Sequence, residues 1–349
     1  MVKGIGRTLQ IAFTYIGTVV GAGFATGREI LQFFTQYGGW AVAAIGLAAL
    51  LFIWLGTKML LMAQAIRATS YEDFNKHLFG DRIGRWISTV SLLLLFGVSS
   101  VMLAGAGSVF REHLGLHYQI GLAVTLVLAY FVLSNGMRGI LAVNSIVVPV
   151  MLVFTCIVVV HTWHSPTQGN WLHLAGDAAP WRAGLSPLLY AAFNLSMAQA
   201  VLVPVGASVD GRKPLIWGGI LGGIGIGLML LAGHYALSAQ MPGITQYDIP
   251  MGHLIAGLGV TVQLIYIIMI YAEIFTTFLA DVYGLMLQIT QRSGLPSRWV
   301  LLCLLSLCYL VSQAGFSHLV DTLYPLFGVI SLAWFSAMVW RKSAGGKLV

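Results

Sequence analysis

The chain has 349 residues, of which 58% are hydrophobic and only 8% are charged. A soluble globular protein carries about 25% charged residues, so these values exclude a soluble globular fold. The formal net charge of +7 follows membrane topology, and we expect no nucleic-acid partner. Apolar stretches of about 20 residues, each able to cross a hydrocarbon core about 30 Å thick, recur along the whole chain. We therefore predict an all-α polytopic membrane protein that forms one transmembrane domain over residues 1–349.

Hydropathy predicts about ten membrane-spanning helices. Their predicted bounds are 8–36, 39–66, 86–112, 118–135, 140–163, 183–207, 214–240, 258–289, 298–315 and 319–340. An even number of spans puts both chain ends on one side of the membrane. Lys and Arg residues concentrate on the terminal segments and the even-numbered connections, whereas the opposite face holds Arg111 and Arg182. By the positive-inside rule, both termini are expected in the cytoplasm.

The first predicted span contains the sequence GTVVGAGFATGREI at 17–30, which places Gly21 and Gly23 in mid-membrane. Glycine costs about 1 kcal/mol relative to alanine in a helix interior, so the pair weakens the helix at this point. The alternative interpretation is a smooth surface for close helix packing, as small-xxx-small patterns provide.

The sixth span, LSPLLYAAFNLSMAQAVLVPVG, carries a polar cluster where span one has its glycines. The cluster consists of Asn194, Ser196 and Gln199, and Pro204 lies beyond it. Interrupted helices at corresponding positions of two halves indicate the binding site of an inverted-repeat transporter. We therefore predict a five-plus-five inverted repeat, 8–163 and 183–340, with discontinuous helices one and six. Such a break directs free N–H groups at an anionic group and free carbonyls at a cation.

Span eight carries a polar stripe, because Glu273, Thr276 and Thr277 stand at i, i+3 and i+4, and Asp281 extends the same face. Hydroxyl and carbonyl oxygens are hard donors that suit Na⁺. The alternative for the threonines is a hydrogen bond back to their own helix. Since an acidic side chain in the membrane is expensive, Glu273 is interpreted as a functional carboxylate or as the partner of a buried base. Asp281 lies nearer the cytoplasmic end, where it is either functional or solvated.

Three motifs carry a resemblance to a known family: GTVVGAGF followed by GREI, the mid-span FNLS, and AEIFTT on span eight. They resemble the bacterial YkvI-like amino-acid permeases, in the amino acid–polyamine–organocation superfamily with the LeuT fold. The resemblance covers nearly the whole chain, and its most specific part is the span-one motif. It implies a multi-pass protein of the bacterial cytoplasmic (inner) membrane.

Similarity to the wider sodium-symporter pattern implies a cation site between spans one and eight. Its ligands are the carbonyls of Gly17, Val20 and Glu273 and the hydroxyls of Thr276 and Thr277. Proton-driven relatives often carry a lysine on span five, but span five here has no basic residue in its core. Sodium is therefore the expected coupling ion, and no other cofactor is expected.

The same similarity implies a substrate site at the two breaks and an outer gate. The amides of Gly21, Ala22 and Gly23 are expected to hold a carboxylate. The carbonyls near Phe193 and Asn194 are expected to meet an amino group. Arg28 and Asp321 resemble a gate pair, although Arg28 sits one residue late, and it alternatively pairs with Glu29 or lies at the interface. Further substrate contacts are expected from Ser196, Gln199, Ser99 and Ser100.

The sequence thus predicts a secondary transporter that carries an amino acid or a similar small zwitterion with Na⁺ by alternating access. One alternative is proton coupling through Glu273, with Asp281 as a second candidate. Another is a non-transporting membrane sensor with the same fold. An enzyme is not expected, because the chain contains neither an H-E-x-x-H nor a G-x-S-x-G motif. The expected partners are a small-molecule substrate and the lipid bilayer, and the oligomeric state is left open.

Overall fold

The computed structural model describes residues 2–68, 70–134, 140–174 and 180–340. Every regular element within these ranges is helical. The helices are α1 Val2–Val19, α2 Ala22–Thr26, α3 Arg28–Phe33, α4 Trp40–Leu51, α5 Thr57–Ile66, α6 Tyr71–Phe79, α7 Asp81–His113, α8 Tyr118–Ser134, α9 Ile140–Trp163, α10 Asn170–His173, α11 Pro180–Ser208, α12 Arg212–Ser238, α13 Pro250–Ala256, α14 Val260–Ser293, α15 Ser297–Ser312 and α16 Phe316–Trp340.

The predicted all-α polytopic architecture is confirmed. In the described ranges, six helices are long and apolar enough to cross a membrane: Trp40–Ile66, Asp81–His113, Trp181–Ser208, Arg212–Ser238, Val260–Thr290 and Phe316–Trp340. Three shorter apolar helices occur at Tyr118–Leu133, Pro149–Trp163 and Ser297–Ser312. Together with the interrupted first span, α1 to α3, they account for the ten predicted spans. The predicted end of span four, residue 135, lies outside the described residues.

The first span is broken where its sequence predicts. Helix α1 ends at Val19, and Val20 and Gly21 are not helical. The short helix α2 follows. Gly27 caps its C-terminal end, with a φ of 82° in the left-handed region that favours glycine. Helix α3 therefore leaves the break in a new direction, which a continuous helix could not provide.

The predicted discontinuity of span six is wrong, because α11 is a single helix over Pro180–Ser208. Its polar side chains bond to the helix itself. The Asn194 amide donates to the Tyr190 carbonyl at 3.0 Å, and the Ser196 hydroxyl donates to the Phe193 carbonyl at 2.8 Å. Asn and Ser can satisfy themselves in this way without unwinding the backbone, so a mid-membrane polar cluster does not require a break.

The N-terminal half of span one is held by tight packing around Tyr15. This fully buried side chain donates from its hydroxyl to the Phe52 carbonyl at 2.8 Å, at a π-helical turn, Phe52–Gly56, within span two. A Cβ at Gly56 would stand 2.1 Å from the Tyr15 hydroxyl, and one at Gly222 of α12 would stand 2.5 Å from its ring. Glycines on two neighbouring helices thus let α1 approach closely, the small-residue packing typical of membrane proteins. This packing fixes the position at which the break begins.

Two elements outside the predicted spans shape the ends of the molecule. Ser70 caps α6 through a capping box, in which the Asp73 amide donates to Ser70 Oγ at 3.1 Å and the Ser70 amide donates to Asp73 Oδ2 at 3.2 Å. The sequence signature S-x-x-D could have identified this helix. On the opposite side, the short helix α13 lies within the connection 241–257, which we name the outer cover.

Candidate functional site

The break in span one frees main-chain oxygens. In a continuous helix the Gly21 amide would donate to Gly17, but here it donates to the Val19 carbonyl at 3.1 Å. Within the described residues, no backbone amide donates to the Val20 carbonyl. The two carbonyls expected to bind a cation on span one, those of Gly17 and Val20, are therefore released from helical pairing. An unpaired carbonyl in the membrane interior is costly unless a ligand or an ion satisfies it.

Span eight passes directly beside the break. Helix α2 packs against α14, and the Tyr266 hydroxyl of α14 donates to the Ala25 carbonyl of α2 at 2.9 Å. Further along α14, Thr276 is buried, and its hydroxyl donates to the Glu273 carbonyl at 3.2 Å. This bond is the local alternative considered for the threonines, and it leaves the Thr276 oxygen lone pairs free to accept a cation. Thr277 is half-buried.

The two acidic side chains of span eight each have a buried carboxylate oxygen. Glu273 is 4% exposed, and its Oε2 is buried with no hydrogen-bond partner in the described part of the chain. Asp281 is half-buried, and its Oδ2 is likewise buried without a partner in that part of the chain. Helix α14 extends to Ser293, so Asp281 lies three turns inside it. Glu273 therefore lies in the interior of the protein, whereas Asp281 is partly enclosed.

A third carboxylate, Glu29, lies in the break itself. It is 5% exposed, and a Cβ built on Gly23 would stand 2.0 Å from its Oε1. The Glu29 side chain thus lies against the α-carbon of Gly23. Any side chain at position 23 would clash with it, so this position requires glycine. The sequence interpretation considered Glu29 only as a partner of Arg28. An acidic residue inside a predicted span is the signal that could have found it, the same signal that singled out Glu273.

Aromatic side chains from spans six and ten enclose the Glu29 carboxylate. Tyr190 is fully buried, and its ring centroid lies 5.1 Å from the ring centroid of Phe33 and 5.1 Å from that of Phe34. Its hydroxyl faces Glu29, but no hydrogen bond of ordinary geometry joins them, and Tyr190 Oη has no partner within the described ranges. Tyr324 also lies close to Glu29. The Phe193 ring packs on Tyr324 at a centroid distance of 4.8 Å, so this expected substrate residue borders the same space.

The other expected polar contacts serve helix packing in this conformation. Trp334 Nε1 donates to Gln199 Oε1 at 3.1 Å, and the hydroxyls of Ser196 and Ser331 lie 2.8 Å apart, so α11 is joined to α16. On α7, Ser99 and Ser100 are buried and donate to carbonyls of their own helix at 2.8 and 2.9 Å. The structure brings neither group into contact with the break.

A small cavity lies beside the break. The residues that line it come from spans one, five, seven and eight, for example Phe24, Met151, Met229 and Met269. Span six is continuous and packs against α16. The Glu29 side chain fills the space at Gly23.

Arg28 is directed away from Glu29 and pairs with Asp321. Its Nε donates to Asp321 Oδ1 at 3.2 Å, and a second nitrogen forms an ion pair with Asp321 Oδ2. The remaining nitrogen, Nη1, donates to the carbonyls of Thr245 and Tyr247 at 3.2 and 3.4 Å. One guanidinium group therefore ties α3, α16 and the outer cover together.

A second cluster fastens the outer cover through Asp248. Its carboxylate accepts a hydrogen bond from the Ser108 hydroxyl at 2.9 Å, and it also contacts Arg111 and the Ser317 hydroxyl. Glu112 accepts the amides of Asp248 and Ile249 at 2.8 and 3.0 Å. These contacts attach the connection 241–257 to α7 and α16.

Two proteins of Bacillus subtilis (strain 168) are similar to the chain over most of its length. The membrane protein YkvI is 38% identical over 348 residues, which cover 98% of each chain. The protein YyaD is 24% identical over 317 residues, which cover 91% of each chain. No protein-family model matches the chain.

Solved transporter structures share the fold. MhsT in complex with L-phenylalanine matches with a TM-score of 0.66 at 14% identity, over 95% of this chain and 89% of MhsT. The inward-facing conformation of Mhp1 matches with a TM-score of 0.63 at 11% identity, over 95% of this chain and 74% of Mhp1. Mhp1 in a closed conformation, with bromovinylhydantoin bound, matches with a TM-score of 0.63 at 14% identity, over 94% and 78% of the two chains. The LeuT fold expected from the sequence is confirmed.

Proposed function

Because the chain belongs to the family of the Bacillus subtilis membrane protein YkvI and has the LeuT fold, we propose that it is a secondary active transporter. It carries an amino acid or a similar small zwitterion across the membrane together with Na⁺. The observation that carries this proposal is the break in span one, where the Gly17 and Val20 carbonyls have lost their helical donors. A catalytic function has no comparable support.

The proposed sodium site joins the break to span eight. The carbonyls of Gly17 and Val20 supply oxygens from one side. The Glu273 carbonyl and the hydroxyls of Thr276 and Thr277 supply them from the other. Oxygen ligands suit a hard monovalent cation, and main-chain oxygens freed in the membrane interior gain most from such an ion. Sodium then orders the break before the solute binds to the amides of Gly21 to Gly23.

Transport requires that the ion and the solute favour one conformation over another, since a ligand shifts an equilibrium only by its differential affinity for the two states. The Arg28–Asp321 pair and the outer cover supply the closed outer side of this cycle. In the proposed outward-open state these contacts separate. MhsT was solved with L-phenylalanine bound, which supports a small solute at the corresponding depth.

One observation favours a second candidate function, proton coupling. Glu273 and Asp281 each have a buried carboxylate oxygen without a partner in the described part of the chain. A protonated acid is neutral and much cheaper to bury than a carboxylate. In this version Glu273 carries the coupled proton and no sodium is required.

We place the protein in the bacterial cytoplasmic membrane with both termini in the cytoplasm, as the distribution of Lys and Arg suggests. A membrane-impermeant maleimide tests this placement. It should label a cysteine introduced at Thr245, in the outer cover, from outside intact cells. It should label one introduced at Glu72, on α6, only after the cells are opened. The reverse labelling pattern would show that the orientation is wrong.

Gradient-driven uptake into proteoliposomes tests the proposed function. Purified protein is reconstituted and given radiolabelled amino acids under an imposed inward Na⁺ gradient at equal pH. Accumulation should require the gradient and should be lost in Thr276→Ala/Thr277→Ala. Thr162→Ala is the matched control, because Thr162 is buried and donates to its own helix at 2.8 Å but lies on span five. This control should keep uptake.

The same vesicles distinguish the two coupling ions. Uptake that follows an imposed pH gradient without sodium, and that is lost in Glu273→Gln, would select the proton version. No accumulation of any amino acid under either gradient would refute the proposal that the protein is an amino-acid transporter.

A further inference from the structure

Glu29 is a buried carboxylate with one unpaired oxygen. It is 5% exposed, and its Oε2 has no hydrogen-bond partner among the described residues. Within the described ranges, no Lys, Arg or His forms an ion pair with it, and the neighbouring Arg28 is committed to Asp321. An acidic residue inside a membrane span is costly. The described part of the fold does not offset this cost through an internal ion pair, so an incoming cation would stabilise this carboxylate.

The position of Glu29 is that of a ligand-binding group. Its side chain lies against Gly23, inside the break that the sequence predicts to hold the solute. The Tyr190 hydroxyl faces it and can donate one hydrogen bond to the carboxylate. A carboxylate accepts several hydrogen bonds, so the second oxygen remains for a ligand. Tyr324 and Phe193 border the same space and offer aromatic faces, which attract cations.

Span six cannot supply the acceptors that the symporter pattern assigns to it. That pattern uses unwound carbonyls near Phe193 and Asn194 for the amino group of the solute, but α11 is continuous here. The Phe193 carbonyl accepts the Ser196 hydroxyl, and the Tyr190 carbonyl accepts the Asn194 amide. The amino group of a zwitterion therefore needs another acceptor at the break.

We propose that the Glu29 carboxylate binds the positively charged amino group of the transported solute. This inference rests on the proposed function and names the solute class: compounds with a protonated amine, including α-amino acids. The amine neutralises the carboxylate in a region of low dielectric, where the attraction is strong. Because the Glu29 side chain lies on Gly23 in this structure, it moves away from the α-carbon when a solute enters.

A chemically matched panel tests this assignment. Purified protein in detergent is mixed with each of the protein amino acids and with two analogues of each. The first analogue is the amine, which lacks the carboxylate. The second is the carboxylic acid, which has hydrogen in place of the amino group. Binding is read as a rise in melting temperature, since a ligand of the folded state stabilises it by mass action. We expect at least one amino acid and its amine to stabilise the protein, and the acid to have no effect.

Two variants locate the amine-binding group. Glu29→Gln should weaken binding of both the amino acid and the amine by about tenfold or more, which corresponds to about 1.4 kcal/mol. Glu72→Gln removes a half-buried carboxylate that lies on α6 and pairs with Lys76 at 2.9 Å, and it should leave both affinities unchanged. If Glu29→Gln does not fold, Glu29→Asp retains the charge on a shorter arm. It should bind the amine more weakly but still in preference to the acid.

Three results would overturn the assignment: equal binding of the acid and the amino acid by the native protein, an unchanged affinity in Glu29→Gln, or no stabilisation by any amine-bearing compound. Failure of the transport proposal gives a different result. Binding that depends on Glu29 without accumulation in vesicles would refute transport and leave the amine site standing. Accumulation that is insensitive to Glu29→Gln would refute the amine site alone.

Discussion

The contact between Glu29 and Gly23 predicts that alanine destabilises the protein at Gly23 but has little effect at the neighbouring Gly21. An alanine Cβ at Gly23 would stand 2.0 Å from Oε1, 2.6 Å from Cδ and 2.7 Å from Cγ of Glu29. At Gly21 an added Cβ meets no heavy atom within 4 Å, and its φ of −97° is open to any residue. Gly21→Ala is therefore the matched control for Gly23→Ala.

The expected cost of Gly23→Ala follows from this geometry. Ordinary van der Waals contacts begin near 3.4 Å, so three atoms of Glu29 have to retreat, and the carboxylate oxygen by more than about 1 Å. Because Glu29 is 5% exposed, it has little free space to enter. Overpacking of this kind costs about 1–3 kcal/mol. Gly21→Ala should change the free energy of unfolding by about 0.5 kcal/mol or less.

A double-mutant cycle with Glu29→Ala identifies the clashing group. If Glu29 causes the cost, Gly23→Ala should be nearly neutral in the Glu29→Ala background, with a coupling energy of about 1 kcal/mol or more between the two sites. The free energy of unfolding of all four proteins is measured in mixed detergent micelles, with circular dichroism as the probe. An equal cost of Gly23→Ala in the two backgrounds would show that the Glu29 side chain does not lie on Gly23. The site described above would then be incorrect.

Three further predictions concern the cation and the outer cover. Asp321→Asn removes the partner of Arg28, so amide hydrogen exchange in the turn Gly243–Gln246, which Arg28 contacts through Thr245, should speed up; unchanged exchange would show that the pair does not hold the cover. Asp248→Asn weakens the second attachment of the same cover, and it should also speed exchange there, whereas slower exchange would contradict this role. Thr276→Ser keeps the hydroxyl and should keep the sodium dependence of thermal stability, while Thr276→Ala should lose it; equal sodium responses of the two variants would remove Thr276 from the cation site.

The sequence was sufficient to predict the spans and the first break, because both depend on local properties. A run of apolar residues crosses a bilayer whatever its neighbours are. Gly21 and Gly23 weaken a helix through their own backbone freedom. The acidic residue of span eight, Glu273, was also recognised from its position alone, since a buried carboxylate is costly in any membrane fold.

Span six shows where the same reasoning failed. Asn194 and Ser196 were interpreted as signs of an unwound backbone, but each bonds to a carbonyl of its own helix. A polar side chain in a membrane helix needs a partner, and the sequence does not say whether that partner is a ligand or the preceding turn. The choice depends on how tightly α11 packs against α16, which joins residues more than 100 positions apart in the chain, such as Gln199 and Trp334.

The sequence alone determined that this is a membrane protein with about ten spans, a weakened first helix and acidic residues that need a function, because hydropathy and helix propensity act over a few residues. Only the tertiary structure decided which groups meet. In a straight helix Gly23 and Glu29 would point to different faces, but the left-handed turn at Gly27 redirects α3 and lays the Glu29 carboxylate on Gly23. The pairing of Arg28 with Asp321 likewise joins residues 293 positions apart. Contacts of this kind depend on the path of the whole chain, and local patterns do not contain that information.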